Sequence, residues 1–285
     1  MDVGVFQTAS MRDADTAAVA AHAEQLGFES FWAPDHTVVP VEYSVPYPGG
    51  TPDQPEPDYL WQLADPLVVL AQIAGATSTI KLGTGVLLVP ERNAILTAKQ
   101  IATLDECSGG RFILGIGAGW NPEESTVLGG DFEHRWSHVK ENIAVMRALW
   151  TEHAPEFHGT YNDFPPIRCY PKPKQDPHPP VLLAAINNPR ALKRVAEWGD
   201  GWIPIVESAE EFKAGVEQIE RYCNELDRDP QNLDFTAFGL GDQWKARADV
   251  EQIEAAGANR VVLWLAGTAT NELKKELDGL AQELF

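Results

Sequence analysis

Apolar residues along the chain fall into two alternating patterns. Short runs that are apolar almost throughout lie at residues 3–7, 30–33, 81–89, 111–117, 181–185, 201–206, 235–240 and 260–266, and between them lie stretches with apolar positions at helical spacing. Runs such as "FILGIG" and "VVLWLA" lack the alternation of a half-exposed strand, as strands covered on both faces should. The helical stretches carry their own start and stop signals. Ser208 and Glu211 have capping-box spacing ahead of Phe212, Val216, Ile219, Cys223 and Leu226 on one face. Thr270 opens a last helix with the stripe Leu273, Leu277, Leu280 and Leu284, and Gly27 and Gly257 stand where helices should end. Alternation of this kind gives a parallel sheet. Eight units in 285 residues predict an α/β chain folded as a (β/α)8 TIM barrel, which typically takes about 250 residues, over a single domain spanning residues 1–285. A doubly wound open sheet is the alternative.

Two stretches interrupt the rhythm and predict insertions. Residues 38–63 follow the second strand and are rich in Pro, Gly and aromatics; residues 156–180 hold seven prolines and follow a long helix over 134–150, the fourth. Loops after barrel strands lie on the catalytic face, so the first insertion reads as a lid or substrate wall. Its Tyr43, Tyr47, Tyr59 and Trp61 either line a pocket or pack the loop onto the barrel. The second reads as a short β excursion and connector into the fifth strand.

Composition narrows the function. A net charge of −20 repels phosphate backbones and anionic lipid, which argues against nucleic-acid or membrane partners, although acidic surfaces also serve solubility. Cys107, Cys169 and Cys223 are odd in number and widely spaced, as reduced cytoplasmic thiols would be, and no Cys/His spacing points to zinc. "MDVGVFQ" enters a strand directly, without a signal peptide, and no apolar run approaches a membrane span, so the expected location is the cytoplasm.

The candidate chemistry sits at predicted strand ends. Asp35 and His36 close the second strand, where a histidine can move a proton near neutral pH and an aspartate can orient a neighbour; a loop-capping Asp beside a structural His is the alternative. "GIGAGW" (115–120) resembles the start of a dinucleotide fingerprint, but Trp120 replaces its third glycine, and no strand ending in an acidic residue follows about 20 residues on. Gly117 and Gly119 instead suit a backbone turning closely beside something flat. In "AINNPRAL" (185–192), Asn187 or Asn188 can cap a helix beginning near Pro189, whose free N–H groups either are simply capped or bind an anion. His134 and His138 lie four apart, but no third ligand completes a metal site, and a solvated helix face accounts for them.

Three segments, "GFESFWAPDHTVVP" (27–40), "IKLGTGVLLVPERNAILTAKQIATLDECSGGRFILGIGAGWNPEE" (80–124) and "PRALKRVAEWGDGWIP" (189–204), together resemble the luciferase-like monooxygenase superfamily, nearest its coenzyme F420-dependent oxidoreductase branch. The resemblance runs from residue 1 to about 204, and the remainder fits by pattern only. It implies a bacterial-luciferase-like barrel with a cofactor ring in its mouth against Thr84, Gly85 and Val86, and a non-prolyl cis peptide at Gly85–Val86. Asp35 and His36 would lie beside the redox centre, with His36 as proton donor or base. Gly117, Gly119 and Trp120 would face the cofactor, and the turn Ala185, Ile186, Asn187 and Asn188 would take its phosphate. The implied cofactor is F420, with FMN as the alternative; the implied partners are a small organic substrate, a flavin or F420 reductase and a second copy of the chain in a homodimer. Two positions depart from the pattern. Relatives often have glycines where Ala185 and Ile186 stand, which keeps open a barrel that has lost its cofactor and serves as a binding or structural subunit. Some sugar-oxidising members have a carboxylate where Trp120 stands, so Trp120 offers a stacking wall instead.

Overall fold

The computed structural model describes residues 1–48 and 56–285; the middle of the first insertion, residues 49–55, lies outside the described residues. Eight parallel strands form a closed barrel: β1 (Asp2–Gln7), β2 (Ser30–Ala33), β3 (Lys81–Thr84), β4 (Phe112–Gly117), β5 (Val181–Leu183), β6 (Gly201–Trp202), β7 (Asp234–Phe238) and β8 (Arg260–Leu265). Each pairs with its neighbours in chain order, β3 joins β4, and β8 returns to β1 in the register Asp2–Arg260 to Gln7–Leu265. The closure of β1 on β8 excludes the open sheet.

The helices follow the strands as expected: α1 (Thr16–Leu26), α2 (Pro66–Ala76), α3 (Ala94–Ser108), α4 (Arg135–Thr151), α5 (Pro189–Trp198), α6 (Ala209–Glu225), α7 (Arg247–Ala255) and α8 (Thr270–Leu284). Five of them, α1, α2, α3, α5 and α6, start at a short polar side chain that accepts orphan N–H groups. Asp15 caps α1, Asn93 caps α3 and Asn188 caps α5. Ser208 caps α6 through the Glu211 N–H, while the Glu211 carboxylate reaches back to the Glu207 N–H. Gly27 ends α1 at φ 95°, a left-handed conformation that glycine adopts without strain. Among the described residues no helix is long and apolar enough to cross a membrane.

Two buried layers hold the barrel. Inside it, Phe6, Trp32, Ile113, Leu182, Ile203, Phe238 and Val262 form the inner cluster, and a larger core fills the space between strands and helices. Burying each large side chain stabilises by roughly 1.5–3 kcal/mol. Trp32 lies so close to β3 that a Cβ on Gly83 would sit 2.3 Å from its ring. At the end where the strands begin, buried Arg260 donates to Glu29 at 2.8 and 3.0 Å, to Asp234 at 2.8 Å and to Thr236 at 2.9 Å, tying β8, β7 and the residue before β2 together.

Two predicted strands are shorter than their apolar runs. The run over 81–89 breaks after Thr84 at the cis Gly85–Val86 peptide; Leu87 and Leu88 then pair with β4, and Val89–Glu91 turn as a 3-10 helix. The run over 201–206 stops at Trp202 because Pro204 brings no N–H to the ladder, leaving one bridge from Ile205 to Phe238. The second insertion contains the expected β excursion, an antiparallel pair of Phe157–His158 with Asp163–Phe164.

Candidate functional site

The carboxyl ends of β3, β4 and β5 border a cavity of about 460 Å³, lined on one side by Val86, Gly117, Gly119 and Trp120 and on the other by Ile186, Asn188, Arg190 and Arg194. The glycines are required by space. A Cβ on Gly117 would sit 2.7 Å from the Val86 side chain, and one on Gly119, which has φ 78°, would sit 2.9 Å from the Glu91 carboxylate.

His36 stands beside this cavity, behind Trp120. Its Nδ1 lies 2.7 Å from Oε2 of Glu124, and the Trp120 indole N–H donates to its Nε2 at 3.3 Å. Glu124 is fully buried and sits in the first turn of a short helix, Pro122–Val127, whose Asn121 cap accepts from the N–H groups of Glu123 and Glu124. The carboxylate that orients His36 is therefore Glu124, not the adjacent Asp35. Both oxygens of Asp35 are occupied: the Arg92 guanidinium donates to them at 2.7 and 3.2 Å and the Leu88 N–H donates at 2.9 Å, while Arg92 also reaches Asp65 at 2.9 Å. Burial pushes the Asp35 carboxyl up, against the opposing pull of Arg92. Asp35 thus fixes the chain after β3, which forms one wall of the cavity.

Glu91 adds a third buried acid. Among the described residues neither of its oxygens has a hydrogen-bond partner. Burial first, then the nearby Glu124 and Asp35, push its carboxyl up to about 8, against Arg92, so it holds a proton at neutral pH.

The other end of the cavity is cationic. Arg135, Arg190 and Arg194 line it, and among the described residues none of the three forms a salt bridge. Arg194 lies over the Trp136 ring at 4.7 Å, and Arg135 over Phe132 at 4.0 Å. Burial, then Arg190 and Arg135, lower the Arg194 pKa, against the opposing pull of Glu197. Asn188 caps α5 beside them through the Ala191 N–H.

The remaining sequence candidates divide. Val86, Gly117, Gly119, Trp120, Ile186 and Asn188 line the cavity. The Thr84 hydroxyl instead donates to the Gly115 carbonyl at 2.7 Å, and a Cβ on Gly85 would press on Phe238 and Phe6. Ala185 is buried with its carbonyl accepting from the Trp202 indole, and the Asn187 amide donates to the Glu211 carbonyl, so neither reaches the cavity. Tyr43 and Tyr47 stand edge-on to Trp120 at 5.5 and 5.6 Å, and Tyr59 to Trp264 at 5.8 Å, whereas Trp61 is half exposed. His134 pairs with Asp131 on the surface and His138 stacks on Tyr161, and no metal-binding cluster occurs among the described residues. Reading the sequence alone misses Glu124, Arg92 and the three arginines. The signals were the Asn121-Pro122 helix start, which buries Glu124 two positions on, and Arg190 and Arg194, four apart just inside a Pro189 start.

A family model described as luciferase-like monooxygenase matches residues 2–241. An uncharacterised protein of Mycobacterium tuberculosis is 39% identical over 204 residues, 71% of this chain and 72% of that one. The F420-dependent glucose-6-phosphate dehydrogenase of Amycolatopsis mediterranei is 30% identical over 227 residues, 75% of this chain and 62% of that one. The crystal structure of a monooxygenase from Streptomyces bottropensis superposes with a TM-score of 0.78 at 19% identity, covering 100% of this chain and 98% of that one.

Proposed function

Because the chain belongs to the luciferase-like monooxygenase family, we propose that it is an oxidoreductase that binds a deazaflavin, F420 in preference to FMN, across its barrel mouth and acts on a small organic substrate. The observation that carries this reading is one cavity with a proton-handling pair beside one end and uncompensated arginines at the other. The residues fit such a group. Gly117, Ala118 and Gly119 leave a low wall opposite Asn188 and Arg190, roomy enough for a planar ring, and Arg135, Arg190 and Arg194 with the N-terminus of α5 suit its phosphate. The preference for F420 rests on the named dependence of the Amycolatopsis relative.

When bound, the cofactor would supply or accept the hydride. The chain's own residues would do the rest. His36 Nε2, which accepts the Trp120 N–H here, would take or return the substrate proton once that indole is displaced, with Glu124 stabilising the imidazolium that forms. Trp120 holds the ring of His36 from the cavity side, and with Tyr43 and Tyr47 it makes an aromatic wall suited to an uncharged, apolar substrate. Asp35 and Arg92 keep the wall after β3 in place. Ile186 lines the cavity without closing it, which weighs against a barrel that has lost its ligand.

Titration of the purified protein with oxidised F420 and, in parallel, with FMN, followed by fluorescence, tests the reading. Tight F420 binding with weak FMN binding is expected. Preference for FMN would turn the assignment to oxygen-using monooxygenation fed by a reductase, and binding of neither would overturn it in favour of a barrel with another ligand.

A further inference from the structure

Asp35, Glu91 and Glu124 are all buried around the turn that follows β3, and the first and last have partners. Asp35 is held by Arg92, and Glu124 gives its Oε2 to His36. Glu91 is only 8% exposed, and among the described residues neither of its oxygens has a hydrogen-bond partner, nor does Oε1 of Glu124. The Glu91 carboxyl is set against one short segment, residues 119–124. A Cβ on Gly119 would sit 2.9 Å from Glu91 Oε1, so the backbone at residue 119 lies directly over that oxygen. The same segment carries both partners of His36: Trp120, whose N–H donates to Nε2 at 3.3 Å, and Glu124, 2.7 Å from Nδ1. A push on residues 119–124 from Glu91 therefore reaches both nitrogens of the imidazole.

The charges that face Glu91 come from three elements. The short helix Pro122–Val127 brings Glu124, the end of β2 brings Asp35, and its own turn brings Arg92. The neighbour from α4 is neutral: the Asn142 amide donates to the Val89 carbonyl at 3.2 Å. Arg92, the cation of the set, is already engaged by Asp35 and Asp65. Two carboxylates in one buried pocket, without a cation of their own, do not readily ionise together. Glu124 has the His36 N–H to satisfy its charge, and Glu91 has no such donor, so Glu91 is the one that keeps its proton.

Resting on the proton-handling role of His36 above, we propose that Glu91 is a positioning residue for His36: while neutral it lets residues 119–124 lie close with Glu124 on Nδ1, and once ionised it drives Glu124 off and frees the imidazole. The proton that Glu91 gives up passes to solvent, and no other bond changes. Without Glu124 nothing fixes the tautomer of His36, and the histidine loses the carboxylate that would stabilise its charged form.

The test follows the ring ¹⁵N shifts of His36 in protein labelled with ¹⁵N-histidine, free of cofactor and substrate, from about pH 7 to about pH 9.5. In the unaltered protein the Nδ1–H form is expected at the low end and should be lost as pH rises through about 8, where Glu91 ionises. In Glu91→Gln, matched in shape and never charged, the Nδ1–H form should persist to the top of the range. Persistence of that form throughout in the unaltered protein would overturn the proposal. So would its loss at the same pH in both proteins, which would leave Glu91 a structural residue even if the variant melts at a different temperature. Because no cofactor is present, either result leaves the F420 reading standing, and a failure of F420 to bind leaves the ¹⁵N result unaffected.

Discussion

The Nδ1 atom of His36, just past β2, lies 2.7 Å from Oε2 of Glu124, which arrives from the far side of β4. Because the Trp120 N–H points at Nε2, that nitrogen presents its lone pair, and the imidazole proton sits on Nδ1 facing Glu124. A carboxylate fixing the tautomer of a histidine makes the outer nitrogen the acceptor, a role it fills here towards the Trp120 N–H.

This arrangement predicts that ¹⁵N NMR of His36 reports the Nδ1–H form, and that Glu124→Gln weakens that preference. Turnover should fall about 10²-fold in Glu124→Gln and further in His36→Ala, with cofactor affinity within a few-fold in both. Unchanged turnover in His36→Ala would remove it from the mechanism.

Glu91 predicts an alkaline loss of stability. Its folded carboxyl, at about 8, lies above its unfolded value of 4.5, so the folded state binds the extra proton between those pH values. Stability should fall as pH rises through that window and level off above it. Glu91→Gln should flatten the dependence and raise the melting temperature at pH 9 relative to the parent. An equally steep profile in the variant would show that Glu91 is not the titrating group.

The arginine trio predicts affinity. Removing Arg194 deletes one cation from the cavity, so Arg194→Ala should weaken F420 binding by about tenfold or more. FMN binding should weaken in parallel if the phosphate is the shared element. Titrations that leave both affinities unchanged would place the anion elsewhere.

At the opposite end of the barrel, Arg260→Ala leaves the half-buried Asp234 without its cation and Glu29 with Lys81 alone. A loss of about 3–5 kcal/mol in urea denaturation is expected. Burial would raise the Glu29 carboxyl, but Arg260 outweighs it and holds it at about 2, so this contribution is present above pH 4.5 and fades as pH falls towards 2. The variant should therefore lose much of its dependence on pH in that range.

The barrel was legible because each strand is buried on both faces and therefore writes an apolar run into the chain. Where the runs overreached, at Gly85 and Pro204, the backbone ended the ladder although the side chains stayed apolar. The site was only half legible. His36 could be placed because a strand end fixes its neighbourhood, but its partner is 88 residues away, and the Asn121-Pro122 helix start beside Glu124 does not say which side chain that acid meets. Asp35 looked like the natural partner because it is adjacent in sequence; consecutive residues at a strand end point to opposite sides, and Arg92 claimed it. The arginines were missed because nothing in the sequence sets α4 beside α5.

The gathered cations also give the molecule a direction. The chain holds 42 acidic and 22 basic side chains, and Arg135, Arg190 and Arg194 line one end of the cavity with no salt bridge among the described residues, so an anion is attracted to that end. Local attraction of this kind would favour encounters in which the arginines meet the anion first. An anion drawn in this way would enter by its most charged end, with its uncharged parts trailing in solution until they swing over the rim towards His36. Capture and alignment would then be successive events, the first sensitive to ionic strength and the second indifferent to it.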